Sequence, residues 1–213
     1  MSFDSGLYED VTDFAQSVGW LAGPAEVFSE YGVVLVAPVI LALLWRARRR
    51  SAAELAAAVW VPVAIGVALV FDTVLKYAFA EVRPCRVVPG AHPLLPCDPP
   101  ADYAFPSNHT VIAAAFAAAV LLVHRRWGWW SMAFAVLVAI SRVYTGAHYP
   151  HDVVAGLAVG AGVGLLGLAV IPRLAELAGR FRDHRRASAR SAPRRGRGRP
   201  GFGSRPPGGT DLR

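Results

Sequence analysis

Apolar residues in this chain gather into five runs nearly free of charge, broken by short polar segments and once by a long proline-rich one. The runs cover Val27 to Trp45, Leu55 to Phe79, His109 to Val123, Trp129 to Ala147 and Val153 to Ile171. A helix needs about 20 apolar residues to cross the hydrocarbon core, so each run predicts a membrane-spanning helix, the third borrowing a turn from its flanks. The expected fold is all-α, a polytopic bundle of five transmembrane helices. Ahead of it, Leu7, Val11, Phe14, Val18 and Leu21 recur at three- or four-residue spacing with acids between them. That period predicts an amphipathic helix within residues 1–26, lying on the membrane surface or packed against the bundle.

Composition agrees with a membrane protein. Of 213 residues, 54% are hydrophobic, and the mean hydropathy is +0.39, more than a soluble domain of this length carries. The net charge of +7 is unevenly spread. Residues 1–32 hold six acids (Asp4, Glu9, Asp10, Asp13, Glu26, Glu30) and no lysine or arginine. Arg46, Arg48, Arg49 and Arg50 follow the first run, Arg125 and Arg126 follow the third, and twelve arginines lie from Arg173 onward. Positive loops stay in the cytoplasm. Five crossings then place the N-terminus outside and the C-terminus inside, in a plasma (inner) membrane. The N-terminus has no basic start followed by an apolar core, so no cleavable signal peptide is expected.

Polar residues inside or beside the runs narrow the picture. Pro38 and Pro62 predict kinks in the first two helices. Asp72 and Lys76 are four apart and are placed to pair on one helix face. Lys76 and Arg83 share a face if the helix continues to Pro84, which disfavours helix at Arg83. Residues 84–106 form a proline-rich loop, outside by the orientation above, that carries the only two cysteines, Cys85 and Cys97. An oxidising location allows these to bridge, contributing on the order of 3 kcal/mol; two free thiols are the alternative. Gly156, Gly160 and Gly164 at four-residue spacing predict close helix packing, within the bundle or between two chains. Trp127, Trp129 and Trp130 mark an interfacial belt.

One face collects the chemistry. Phe105-Pro106-Ser107-Asn108-His109-Thr110 immediately precedes the third run, where Ser107 or Asn108 suits an N-cap and His109 falls in the first turn. A helix starting there directs free N–H groups and its positive dipole end outward. Ser141 to Asp152 adds Arg142, His148 and Asp152. Lys76, Arg83 and Arg142 with that helix start make an anion cradle. Two histidines supply a nucleophile and an acid/base, and a carboxylate can orient one of them. Fixed cations can supply the charge stabilisation that a metal gives elsewhere. This suits phosphoryl transfer to histidine and then to water.

Lys76 with six residues before Arg83-Pro84, then Pro106-Ser107-Asn108-His109, then Ser141-Arg142 with five residues before His148 and three before Asp152, resembles the type 2 phosphatidic acid phosphatase family, which shares its motifs with vanadium haloperoxidases. The match runs from Lys76 to Asp152 with three motifs in family order. Asn108 departs from the glycine most common there. The resemblance implies the following roles. His148 attacks phosphorus, Asp152 orients it, and His109 protonates the leaving oxygen. Lys76, Arg83, Arg142, Ser107 and Asn108 hold phosphate, and no metal or other cofactor is needed. His151 has no family role and reads as a helix-start residue.

The resemblance is nearest to bacterial polyprenyl (undecaprenyl) diphosphate phosphatases, which implies hydrolysis of undecaprenyl or decaprenyl diphosphate to the monophosphate, recycling carrier lipid for cell-wall peptidoglycan synthesis. The alternative is a phosphomonoesterase acting on phosphatidic acid, phosphatidylglycerophosphate or a polyprenyl-phosphoryl sugar phosphate. A lipid-binding or transport protein would not need the histidine pair with Asp152, and five spans exclude a soluble haloperoxidase. Residues 1–178 are expected to form the phosphatase domain. Residues 179–213, rich in Arg, Gly, Pro and Ser, are expected to be a disordered cytoplasmic tail that contacts anionic lipid in preference to nucleic acid.

Overall fold

The structure, a computed structural model, describes residues 4–191. Nine helices follow one another among them: α1 (Ser5–Ser17), α2 (Gly19–Tyr31), α3 (Val36–Ala47), α4 (Ala52–Phe79), α5 (Pro84–Val87), α6 (Asn108–Val123), α7 (Arg125–Tyr144), α8 (Pro150–Leu165) and α9 (Gly167–Ser191). Three stretches are long and apolar enough to cross a membrane: Gly19–Ala47, Ala52–Val87 and Pro150–Leu177. The apolar α6 is shorter. In α7, Arg125 and Arg126 at one end and Arg142 near the other dilute an otherwise apolar sequence. Large apolar side chains face outward along the bundle, including Trp20, Leu41, Phe71, Trp130 and Ile140, as lipid-facing residues do.

The centre of the bundle is α6, and its sequence explains why. Ala113, Ala114, Ala115, Ala117, Ala118 and Ala119 keep its surface thin, so other helices approach on every side, and all six are buried. Phe116 and Val120 pack with Val36, Trp60, Val61 and Ala64. On another face α8 lies against α6 through its glycine stripe. An added Cβ at Gly156 would come 3.0 Å from the Ser107 carbonyl oxygen, at Gly160 2.4 Å from that of Val111, and at Gly164 2.6 Å from the Ala118 Cβ. The stripe is used within the bundle, and it holds the start of α8 beside the start of α6. Trp60 Nε1 donates to the Gly164 carbonyl at 2.9 Å, tying α4 to the same helix.

Several local expectations need correction. The first span breaks at a 3-10 turn, Gly32–Leu35, not at Pro38, which sits in the first turn of α3. A proline ring clashes with the carbonyl four residues earlier, here Val34, so the distortion appears one turn ahead of it. Helix α4, opened by a Ser51–Glu54 capping box, stops at Phe79 with Ala80 in the left-handed region (φ 45°). Arg83 is extended ahead of Pro84, as the residue before a proline prefers. Lys76 and Arg83 therefore do not share a helix face. The N-terminal helix docks through Tyr8, Thr12 and Ala15, while Leu7 and Phe14 point outward.

Cys85 and Cys97 are disulfide-bonded, with Cα atoms 6.0 Å apart. Residues 4–179 make one compact unit; a second begins at Arg180 and is helical as far as it is described. The expectation for the basic tail bears largely on residues 192–213, outside the described residues.

Gly160→Ala is expected to cost about 1–3 kcal/mol, because its methyl has no room against the α6 backbone. Gly162→Ala, which meets nothing within 4 Å, should instead stabilise by roughly 0.5–1 kcal/mol from helix propensity alone. Thermal unfolding of the two variants in one detergent checks the contrast.

Candidate active site

Burying charge at the end of a membrane bundle demands partners, and the partners define this site. Lys76 lies in the last turn of α4, Arg83 just ahead of α5 and Arg142 near the end of α7. All three are buried, at 8%, 4% and 3% exposure. Lys76 Nζ donates to Asp102 Oδ1 at 3.2 Å and to the Tyr103 carbonyl. Arg83 reaches Asp102 Oδ2 through Nη2 at 2.9 Å, Asp98 Oδ2 through Nη1 at 2.8 Å and the Asp102 carbonyl through Nε at 3.0 Å. Arg142 Nη1 donates to the Ser29 carbonyl and Oγ, each at 3.2 Å, and lies 3.5 Å from Glu30 Oε2. Each cation thus faces a carboxylate from another segment. Burial pushes the Asp102 carboxyl up, but Arg83 and Lys76 outweigh it and hold the group below the usual carboxylate range.

His148 sits among these cations, 1% exposed. Its Nε2 is 3.4 Å from Arg83 Nη1, and its Nδ1 is 3.4 Å from Asp152 Oδ2. Burial, then the charges of Arg142, Arg83, Lys76 and His109, push its pKa well below the ordinary histidine value. The ring is therefore neutral near pH 7, with Nε2 toward the cations and Nδ1 toward the carboxylate. At 3.4 Å the two groups face each other without a hydrogen bond.

The backbone that carries His148 is tightly held. Gly146 has φ 75°, and a Cβ there would fall 2.8 Å from Pro93 Cα and 3.1 Å from the Tyr8 hydroxyl, so glycine is required twice over. Tyr8 donates to the Gly146 carbonyl at 3.0 Å, and Leu94 N–H to that of Thr145 at 3.0 Å. The N-terminal helix and the disulfide loop thus both brace this turn. Asp152, wholly buried in the first turn of α8, accepts the Tyr149 N–H on Oδ2 at 2.8 Å. Its carbonyl accepts the Ser107 N–H at 3.2 Å. Ser107 occupies the N-cap position of α6, but its Oγ accepts from the Thr110 hydroxyl at 3.2 Å and not from a backbone N–H. Asn108 opens the helix and His109 follows in its first turn, its Nε2 3.2 Å from the Glu30 carbonyl oxygen.

The residues singled out from sequence therefore converge, apart from one pairing. Asp72 does not hydrogen-bond Lys76; both its carboxylate oxygens are buried without a hydrogen-bond partner, while Lys76 turns to the loop. Sequence reasoning missed Ser29, Glu30, Asp98 and Asp102. For the three acids the only signal was carboxylates in segments remote in sequence from the cations, and Ser29 gave none. His151, read as a helix-start residue, is held between Asp4 and Glu81. A cleft of about 330 Å³ opens beside Arg142 and Asp98, and an apolar groove of about 470 Å³ shares its Val27 and Tyr31 walls and continues along Phe28 to Leu35.

A helical membrane protein with a buried histidine, an aspartate behind it and three cations in front is built to handle phosphate. The chain matches the family model of the PAP2 superfamily over residues 57–176; it belongs to that family and is a membrane phosphatase of the PAP2 type. It is 32% identical over 156 residues to the undecaprenyl-diphosphatase of Sulfolobus acidocaldarius, covering 72% of each chain. It is 33% identical over 138 residues to the undecaprenyl-diphosphatase BcrC of Bacillus subtilis, covering 65% of this chain and 68% of that one. Its fold is similar to that of the first transmembrane PAP2 type phosphatidylglycerolphosphate phosphatase from Bacillus subtilis, with TM-score 0.56, 22% identity, and 84% and 86% of the two chains covered.

Because Asp98 and Asp102 compete for the cations an anion would use, replacing both with asparagine is expected to tighten orthovanadate binding roughly tenfold, the low end of coupling between close charge pairs. Titration of purified wild type and double variant checks this.

Proposed function

We propose that the chain hydrolyses a polyprenyl diphosphate of the undecaprenyl or decaprenyl type to the monophosphate, at the outer face of the plasma membrane. The observation that carries the reaction is the neutral, buried His148 with Nε2 toward three cations and Nδ1 toward Asp152. The identity to two undecaprenyl-diphosphatases supports the substrate. The apolar groove that shares the Val27 and Tyr31 walls of the cleft beside Arg142 adds to it, since it offers an apolar surface to a long isoprenoid tail near a seat for its head.

The reaction proceeds in two displacements. His148 Nε2 attacks the terminal phosphorus and the bond to the bridging oxygen breaks. His109 gives that oxygen a proton, so the lipid monophosphate leaves. Asp152 keeps the proton on Nδ1 and stabilises the imidazolium as charge develops. Lys76, Arg83 and Arg142, released from Asp102, Asp98 and Glu30, hold the non-bridging oxygens, with Ser107 and the Asn108 main chain completing the pocket. His109 then takes a proton from water, which attacks the phosphohistidine and releases phosphate. No step needs a metal.

The topology that serves this reading has five crossings, with α6 and α7 joining the three longer spans. The active site and N-terminus lie outside and the arginine-rich end inside, where it meets anionic lipid. Carrier-lipid recycling for wall synthesis is the role that fits.

His148→Ala is expected to abolish phosphate release while the protein elutes and melts like wild type. Acid-labile phosphate on nitrogen should be trapped in wild type alone. Turnover by the variant would overturn the mechanism. Release from undecaprenyl diphosphate should exceed release from phosphatidic acid under matched conditions. In a separate assay, activity should survive EDTA; loss that added divalent ion restores would argue for a catalytic metal.

A further inference from the structure

The phosphatase reading leaves His151 without a task, yet few side chains here are held so firmly. Its ring stacks on Tyr149 (centroids 5.4 Å apart, planes at 17°) and on Phe105 (5.8 Å, 28°). Both nitrogens meet carboxylates. Nδ1 lies 3.0 and 3.1 Å from the two Asp4 oxygens, Nε2 lies 3.0 Å from Glu81 Oε2, and Nε2 lies 3.2 Å from Asp152 Oδ1. The His151 N–H also donates to Asp4 at 2.9 Å. Asp4 and His151 are 147 residues apart, so sequence spacing gives no hint of the contact.

Two independent features point to a cation. The first is charge. Three carboxylates surround a single imidazole, so even a protonated ring leaves an excess of negative charge in the cluster. The second is Asp152 Oδ1, which belongs to a wholly buried residue, faces this cluster and has no hydrogen-bond partner. Glu81 Oε2, His151 Nε2 and Asp152 Oδ1 all lie within 4.8 Å of one another. A tetrahedral ion bound at ~2.1 Å spaces its donors about 3.4 Å apart, close to the 3.0 and 3.2 Å separations already present. A carboxylate on the far ring nitrogen is what fixes a metal-binding histidine in the required tautomer, and Asp4 occupies that position. One imidazole with two carboxylates suits a zinc-class dication better than magnesium or calcium, which favour all-oxygen shells.

We propose that Glu81, His151 and Asp152 bind a zinc-class dication, with Asp4 orienting the imidazole, and that the bound ion slows the phosphatase. Its influence on turnover passes through Asp152. The same carboxylate faces His148 with Oδ2, and an ion on Oδ1 draws off the negative charge that supports the developing imidazolium. This effect on rate rests on the mechanism proposed above, whereas the binding does not.

The experiment uses the full chain in detergent, stripped with EDTA, dialysed, and titrated with zinc against a chromophoric chelator. Wild type should take up a single zinc ion saturably. Glu81→Gln and His151→Gln should each weaken uptake at least tenfold, and Asp4→Asn about tenfold, as loss of an outer-shell partner does. Phosphate release by wild type should fall as the site fills, while Glu81→Gln, measured against its own zinc-free rate, needs about tenfold more zinc for the same fractional fall. No saturable uptake, or uptake unchanged in the folded Glu81→Gln and Asp4→Asn proteins, overturns the site. Uptake that orthovanadate displaces and Glu81→Gln leaves intact also overturns it, because the ion then sits on His109 and His148. Specific uptake with unaltered turnover overturns the effect on rate. A chain with no phosphatase activity would defeat the proposed function and leave the uptake result standing.

Discussion

Three cations buried at one end of a membrane bundle set the terms for everything around them. A lone ammonium or guanidinium in such a place costs several kcal/mol, so Lys76, Arg83 and Arg142 must each be met by a carboxylate or by substrate. The resting structure meets them with Asp102, Asp98 and Glu30. This explains why the long loop and the second helix are where they are. The Cys85–Cys97 bridge gathers a loop whose acids must reach back to α4 and α5. Helix α2 must pass close enough to α7 for the Ser29 carbonyl and Glu30 to reach Arg142. These carboxylates are only half buried, and in the proposed reaction an incoming phosphate takes over their partners.

How much of this was legible follows from the range over which each interaction acts. Apolar runs are local and showed the all-helical membrane bundle directly. The spacings Lys76 to Arg83, Ser107 to His109 and Arg142 to Asp152 are short enough to carry motifs, and the residues in them meet in space. The glycine stripe on α8 predicted close packing, and α6 with its alanines is what it packs on. The misses are cases where a distant partner won. Asp72 and Lys76 had the right separation to pair on one helix, but Asp102 from the loop offered Lys76 a charged partner together with the Tyr103 carbonyl. Pro38 marked a distortion correctly in kind and one turn late in place. Leu7 and Phe14 belonged to the period that predicted the first helix, yet that helix docks through Tyr8 and Thr12 because the Gly146 turn needs a hydroxyl donor.

Asp152 stands on the border between two fields of opposite sign. On one side burial, joined by the cations and His109, holds His148 neutral; on the other, Asp4 and Glu81 crowd carboxylate charge around His151. A carboxylate exposed only to the cations would be drawn to them and lost to His148. Here the Tyr149 N–H fixes Oδ2, and the Ser107 N–H fixes the main chain of the same residue to the neighbouring helix. The acidic cluster behind it then does electrostatic work that a neutral wall would not. In the mechanism proposed above, that charge adds to the negative potential at Nδ1 of His148, the side that keeps its proton while Nε2 attacks phosphorus. A histidine buried among cations makes a poor base for that proton unless negative charge is stored close by, and in this fold the store is assembled from the first helix, the end of α4 and the start of α8.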